Sequence, residues 1–204
     1  MATTTTPNKT EGTSVLTLQS VSASSVVVSS SVDVSGKFGG IVDIFFARTS
    51  LTAPTVGVTY KVEVLAVSGG AVGDWVPLSQ YTTGILQCNG GSAIANSSTS
   101  GAAETVASNG TSVAAGDSCY CKDGTLANSE WFYVLSTAST TVTAQQSFAN
   151  SHTTGNIYNK AERIAIPLDL SAVSHLRVTA DGSQHNQTFD TKVFLNTFDS
   201  LTAA

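Results

Sequence analysis

Three histidines, three cysteines and fourteen carboxylates are the residues of this 204-residue chain that could carry acid–base, nucleophilic or metal chemistry. His175 opens an alternating segment beside Leu176 and Arg177, whereas His152 and His185 lie in polar stretches. A Ser–His–Asp set can be drawn on paper from any serine-rich chain, and no Gly-x-Ser-x-Gly turn is present to orient a nucleophile. Cys119 and Cys121 flank Tyr120, so on a strand their sulfurs share one face about 7 Å apart along it. That spacing is poor for a disulfide. With no further ligand spacing evident around them, Cys88, Cys119 and Cys121 read as small buried hydrophobes, and no metal or cofactor is expected. Among the acids, Asp33 and Asp43 fall in strand-like segments and Glu130 precedes Trp131-Phe132. A glycosidase pair is defined by separation in space, and these acids read instead as solvated or strand-pairing groups. Residues 36–40, Gly-Lys-Phe-Gly-Gly, lack the spacing and the Ser/Thr of a phosphate loop and read as a turn entering a strand. Trp75, Trp131, Phe132, Tyr133 and Tyr158 could stack on sugars. On one strand, however, Trp131 and Tyr133 share a face opposite Phe132 and Val134, so one set is expected to fill a core.

The elements that must position these residues have period two. Residues 15–18, 26–34, 40–46 and 58–65 read as strands. In the last of these, Thr59, Lys61 and Glu63 face one side and Tyr60, Val62 and Val64 the other, which suits a sheet with one wet and one packed face. Residues 74–78 form a short strand that Pro77 confines to an edge. From 88 to 115 the chain is rich in Gly, Ala, Ser and Asn and reads as a long connection with one weak strand near 104–107. Strands follow at 117–122, 130–136, 140–144 and 155–158, and longer ones at 163–170, 175–180 and 189–198. No segment shows a 3.6-residue period. The fold class is therefore all-β: an antiparallel β-sandwich from 14–102 and 161–204, a small β-barrel-like insertion at 103–160, and a flexible N-terminal arm at 1–13.

Only 11% of residues are charged, against about 25% in an average chain, while Ser and Thr together number 56. The formal charge is −5 with nine basic residues, and no basic cluster faces phosphates, so neither nucleic acid nor an anionic membrane is an expected partner. Residues 1–12 carry no basic start and no apolar stretch, so no signal peptide is expected. An odd cysteine count then argues for reduced thiols in the cytosol. The four Asn-x-Ser/Thr sequons, at Asn8, Asn96, Asn109 and Asn186, read as products of composition.

One stretch has a familiar pattern. Ala115-Gly116-Asp117 leads into Cys119-Tyr120-Cys121-Lys122-Asp123. Asn128-Ser129-Glu130-Trp131-Phe132-Tyr133-Val134 follows, and Ile157-Tyr158-Asn159-Lys160-Ala161-Glu162-Arg163 closes it. Residues 115–163 resemble a small β-barrel module of structural proteins in tailed bacteriophages, in which an "AGD" opening, an "NSEW" strand start and a "Y-x-x-AE" close recur. Cys119 and Cys121 depart from the aliphatic residues of that pattern. The resemblance implies a non-enzymatic virion protein assembled in the host cytoplasm, foremost a capsid decoration (cement) protein on the head exterior. Its implied partners are the major capsid protein or other virion proteins, with self-association, for example as a trimer. A tail or head–tail connector component, or a carbohydrate-binding β-sandwich used in host adsorption, are the alternatives. The resemblance implies no catalytic residue.

Overall fold

The computed structural model describes residues 9–66, 74–88, 92–94, 101, 103–106 and 113–199. Every regular element among them is a strand, apart from short 3-10 turns. Among the described residues, no helix is long and apolar enough to cross a membrane.

Two sheets face each other. The first runs β1 (Lys9–Val21), β15 (Phe189–Asp199), β4 (Lys37–Arg48), β13 (Glu162–Asp169). The second runs β2 (Val26–Val28), β14 (His175–Asp181), β5 (Thr59–Leu65), β6 (Val76–Thr82), with β3 (Val32–Asp33) also on β14. All pairings are antiparallel. Alternation decides what lies between them: Val42, Ile44 and Phe46 of β4, Val193 and Leu195 of β15, Tyr60 and Val62 of β5, and Leu176 and Val178 of β14 form one buried core. On the opposite face of the second sheet the register sets Arg177 against Glu63. The guanidinium donates twice to that carboxylate, at 3.0 and 3.3 Å. The fold is thus an all-β sandwich whose wet and dry faces follow the period of two.

A six-stranded antiparallel sheet lies between β6 and β13 in sequence. Its order is β7 (Ser92–Ala93), β12 (Gly155–Asn159), β9 (Ser118–Asp123), β10 (Glu130–Ala138), β11 (Thr141–Ala144), β8 (Ala103–Thr105). A bridge between Ile94 and Val106 joins the two outer strands, so the sheet returns on itself as a small barrel. Its core holds Cys119, Cys121, Phe132, Val134, Val142, Phe148 and Ile157.

The bounds differ from those expected in two places. β1 begins at Lys9, inside the stretch expected to be an arm, because the outer edge of β15 recruits even polar residues into backbone pairing (Lys9 with Phe198, Thr13 with Leu195). Residues 1–8 of that arm lie outside the described residues. β7, within the range expected to belong to the sandwich, pairs with Asn156 and Ile157 of the barrel instead, because the adjoining Ile94 finds its apolar surroundings there.

Candidate functional site

The barrel sits on the outer face of the first sheet. Residues of β4 and β15 that alternate away from the sandwich core, Phe45, Ala47, Asp190 and Lys192, meet Tyr120, Trp131 and Tyr158 of the barrel. Tyr120 alternates with the two cysteines and therefore points out of the barrel and into this junction. Its ring lies 4.3 Å from that of Trp131, and its phenol donates to Asp190 Oδ2 at 2.7 Å. Lys122 Nζ and Ser20 Oγ also donate to Asp190, at 3.0 and 2.5 Å. Burial, and the Asp190 carboxylate, push the Tyr120 phenol well above its ordinary pKa. Trp131 Nε1 donates to the Phe46 carbonyl at 3.1 Å. Lys192 Nζ lies about 5 Å from the rings of both Phe45 and Trp131, and burial holds its ammonium below the usual lysine value.

Arg48, at the end of β4, closes the junction at its neck. Its Nη1 donates to the Gly84 carbonyl at 2.7 Å and its Nη2 to the Lys160 carbonyl at 3.4 Å. One guanidinium thus ties the chain entering the barrel to the chain leaving it. Glu162 Oε1 lies 3.7 Å from Nη1 and accepts from the Gly84 N–H at 3.1 Å.

Among the described residues, the barrel interior holds a cluster of side chains able to ligate a metal ion. Cys121 Sγ, His152 and Glu104 present ligand atoms that all lie within 4.8 Å of one another, and all three residues are buried. His152 Nδ1 is 2.5 Å from Glu104 Oε1, and Nε2 is 3.0 Å from the Asn128 carbonyl. Burial pulls the His152 pKa down, but the hydrogen bond and charge of Glu104, with Asn128 and Glu130, outweigh it and raise the net value. Burial, then Glu104, pushes the Cys121 thiol far up. Two further carboxylates hold the loop that carries His152. Glu130 accepts from the N–H groups of Ala149 and Asn150 on one side, and Asp123 accepts from that of Thr153 on the other.

The structure thus brings together His152 and Cys121, which no sequence pattern links, and adds Glu104 from the weak strand. Their positions lie 17 and 31 residues apart, so no local spacing marks them. Cys119 shares the barrel core with Cys121, as alternation requires. The other histidines are elsewhere. His185 is buried against Phe46 and Phe189, its Nδ1 donating to the Val56 carbonyl at 2.6 Å. His175 contacts Ser174. Of the aromatic residues suited to sugar stacking, Phe132 is barrel core, Trp131 is covered by Tyr120 and Lys192, Tyr158 packs into the junction, and Trp75 lies under Arg177 at 4.4 Å. Tyr133 remains exposed.

The outer strand β6 has a different character. No charged residue occurs from Trp75 to Ala103. Val76 (59% exposed) and Leu78 (42%) on β6, and Ile85 (55%) and Leu86 (64%) just after it, show aliphatic surface to solvent. Edge strands are usually blunted by lysines or other charges. Here Pro77, and the register shift that skips Leu78 between the Val62–Ser79 and Glu63–Pro77 pairs, serve that end in place of a charge.

No family model matches the sequence, and no curated protein matches it. Among solved structures, the chain is similar to one described as the structure of infectious bursal disease virus Gt strain, at 9% identity and a TM-score of 0.26. The match covers 95% of this chain and 42% of that one, so the chain spans less than half its length. A superposition at that score demonstrates no common fold.

Proposed function

We propose that the protein is a non-enzymatic structural component of a phage virion, bound to the major capsid protein on the head exterior as a decoration protein. The observation that carries this reading is the uncharged edge strand β6, with Val76 and Leu78 exposed on it and Ile85 exposed just after it in sequence. A strand edge offers a row of backbone donors and acceptors to a partner. Because isolated charges are costly to bury, a surface without them is inexpensive to desolvate. The resemblance of residues 115–163 to a phage structural module supports the same reading, and that stretch contains β9 to β12 of the barrel.

The reading is tested by adding the purified protein to expanded heads that lack it. Co-sedimentation at a fixed copy number, with raised resistance of the heads to heat, is the expected result. Leu78→Asp and Ile85→Asp are expected to lower occupancy at least tenfold while leaving the unfolding midpoint nearly unchanged, since both side chains are exposed. Failure of the wild-type protein to sediment with heads would remove the reading.

A further inference from the structure

We propose that Cys121, His152 and Glu104 form a binding site for a zinc-class divalent transition metal ion inside the small barrel. The inference is independent of where the protein acts. Three features of the geometry support it.

The donors are of the right kinds and close enough. A thiolate, an imidazole and a carboxylate select zinc and its first-row neighbours over magnesium or calcium, which prefer oxygen donors alone. With metal–ligand bonds of about 2.0–2.3 Å, tetrahedral donors stand roughly 3.3–3.7 Å apart. The present donor atoms, all within 4.8 Å of one another, reach that arrangement by side-chain shifts of about an ångström.

The charges also balance. A divalent ion with one thiolate, one carboxylate and a neutral imidazole is a neutral unit, with the Glu130 carboxylate standing outside it, 3.6 Å from His152 Nε2. On binding, the ion takes the place of the Cys121 thiol proton and of the proton lying between His152 Nδ1 and Glu104 Oε1. Both protons leave to solvent. Imidazole ligands characteristically donate their other ring N–H to a carbonyl, and His152 Nε2 is so placed, 3.0 Å from the Asn128 carbonyl.

The loop bearing His152 is held on both sides. Glu130 fixes the N–H groups of Ala149 and Asn150, and Asp123 that of Thr153, so these two acids position the imidazole rather than ligate. The ion would join β8, β9 and this loop. β8 has three residues, and beyond it the outer strands meet through the Ile94–Val106 bridge. The metal would therefore act as a staple at the barrel's closure.

The test uses the full chain, freed of metal by a chelator and titrated with Co(II) and with Zn(II). Expected are one equivalent bound, a thiolate-to-cobalt charge-transfer band in the near ultraviolet, and a higher thermal midpoint with Zn(II) than without. Cys121→Ser should abolish the band, whereas Cys119→Ser and Cys88→Ser should keep it. His152→Ala and Glu104→Gln should weaken binding by more than the 10–100-fold that outer-shell changes cost. If Cys121→Ser does not fold, the isosteric Glu104→Gln decides in its place. A wild-type chain that binds neither ion, a band that survives Cys121→Ser, or Glu104→Gln binding as tightly as wild type would overturn the proposal.

Discussion

The phenol of Tyr120 and the carboxylate of Asp190 meet at 2.7 Å across the junction of barrel and sandwich, both side chains fully buried. One lies on a strand of each body, 70 positions apart, so this hydrogen bond reports on docking rather than on either core. Tyr120→Phe keeps the ring on Trp131 and removes the donor. It is expected to cost about 1–3 kcal/mol, the penalty for leaving a buried polar group short of a partner, read as a lower urea midpoint with unchanged slope.

Arg48 makes a second prediction. Arg48→Met removes the guanidinium that lies over the Phe46 ring, and leaves the Gly84 and Lys160 carbonyls without this donor and Glu162 without this cation. Breaking such a buried arrangement costs on the order of 3 kcal/mol. Equilibrium unfolding measures it, and a loss under 1 kcal/mol would mean that Glu162 holds the neck through its bonds from Gly84 and Tyr81.

A third concerns acid. The hydrogen bonds from Lys61, then those from Ser183, hold the Asp181 carboxyl down at about 2 against an ordinary 3.8. A depressed carboxyl stabilises the fold above its unfolded pKa, and that contribution is lost as pH falls through the folded value. Stability is therefore expected to decline from about pH 4 toward pH 2, and Asp181→Asn should flatten part of that decline. Urea midpoints at several pH values compare the two proteins directly.

Gly155 supplies a fourth. It opens β12 at φ +129°, and a Cβ there would stand 1.9 Å from the Lys122 carbonyl oxygen of β9. Gly155→Ala must strain the backbone and push the strands apart, at a cost of roughly 2–3 kcal/mol. Far-ultraviolet circular dichroism during thermal melting would register it.

Much of this architecture was legible because the determinant is local. Tyr60, Val62, Leu176 and Val178 lie in plain alternation, and each points into the sandwich core. The pair choice on β10 also resolves physically: Phe132 and Val134 fill the barrel, while Trp131 turns to the junction. Closure of the barrel was not legible. β7 is two residues in a stretch of small polar side chains, and its pairing depends on β12, more than sixty positions later. The Glu104–Cys121–His152 cluster was hidden for a related reason, since tertiary pairing alone brings three unremarkable segments together. Nor does any pattern in the sequence distinguish Arg48 from the other basic residues, because its importance comes from the two carbonyls it reaches.

The pairing of β1 with β15 sets an order of events during synthesis. The first described strand has no sheet partner until residues 189–199 have left the ribosome, so the sandwich cannot close on the nascent chain before then. The barrel's last strand ends at Asn159, and its strands can pair while the sandwich still waits for its own. The barrel thus has the means to fold first and present Tyr120 and Trp131 as a preformed seat. β15, arriving late with Asp190 and Lys192, would then lock sandwich and barrel in one step.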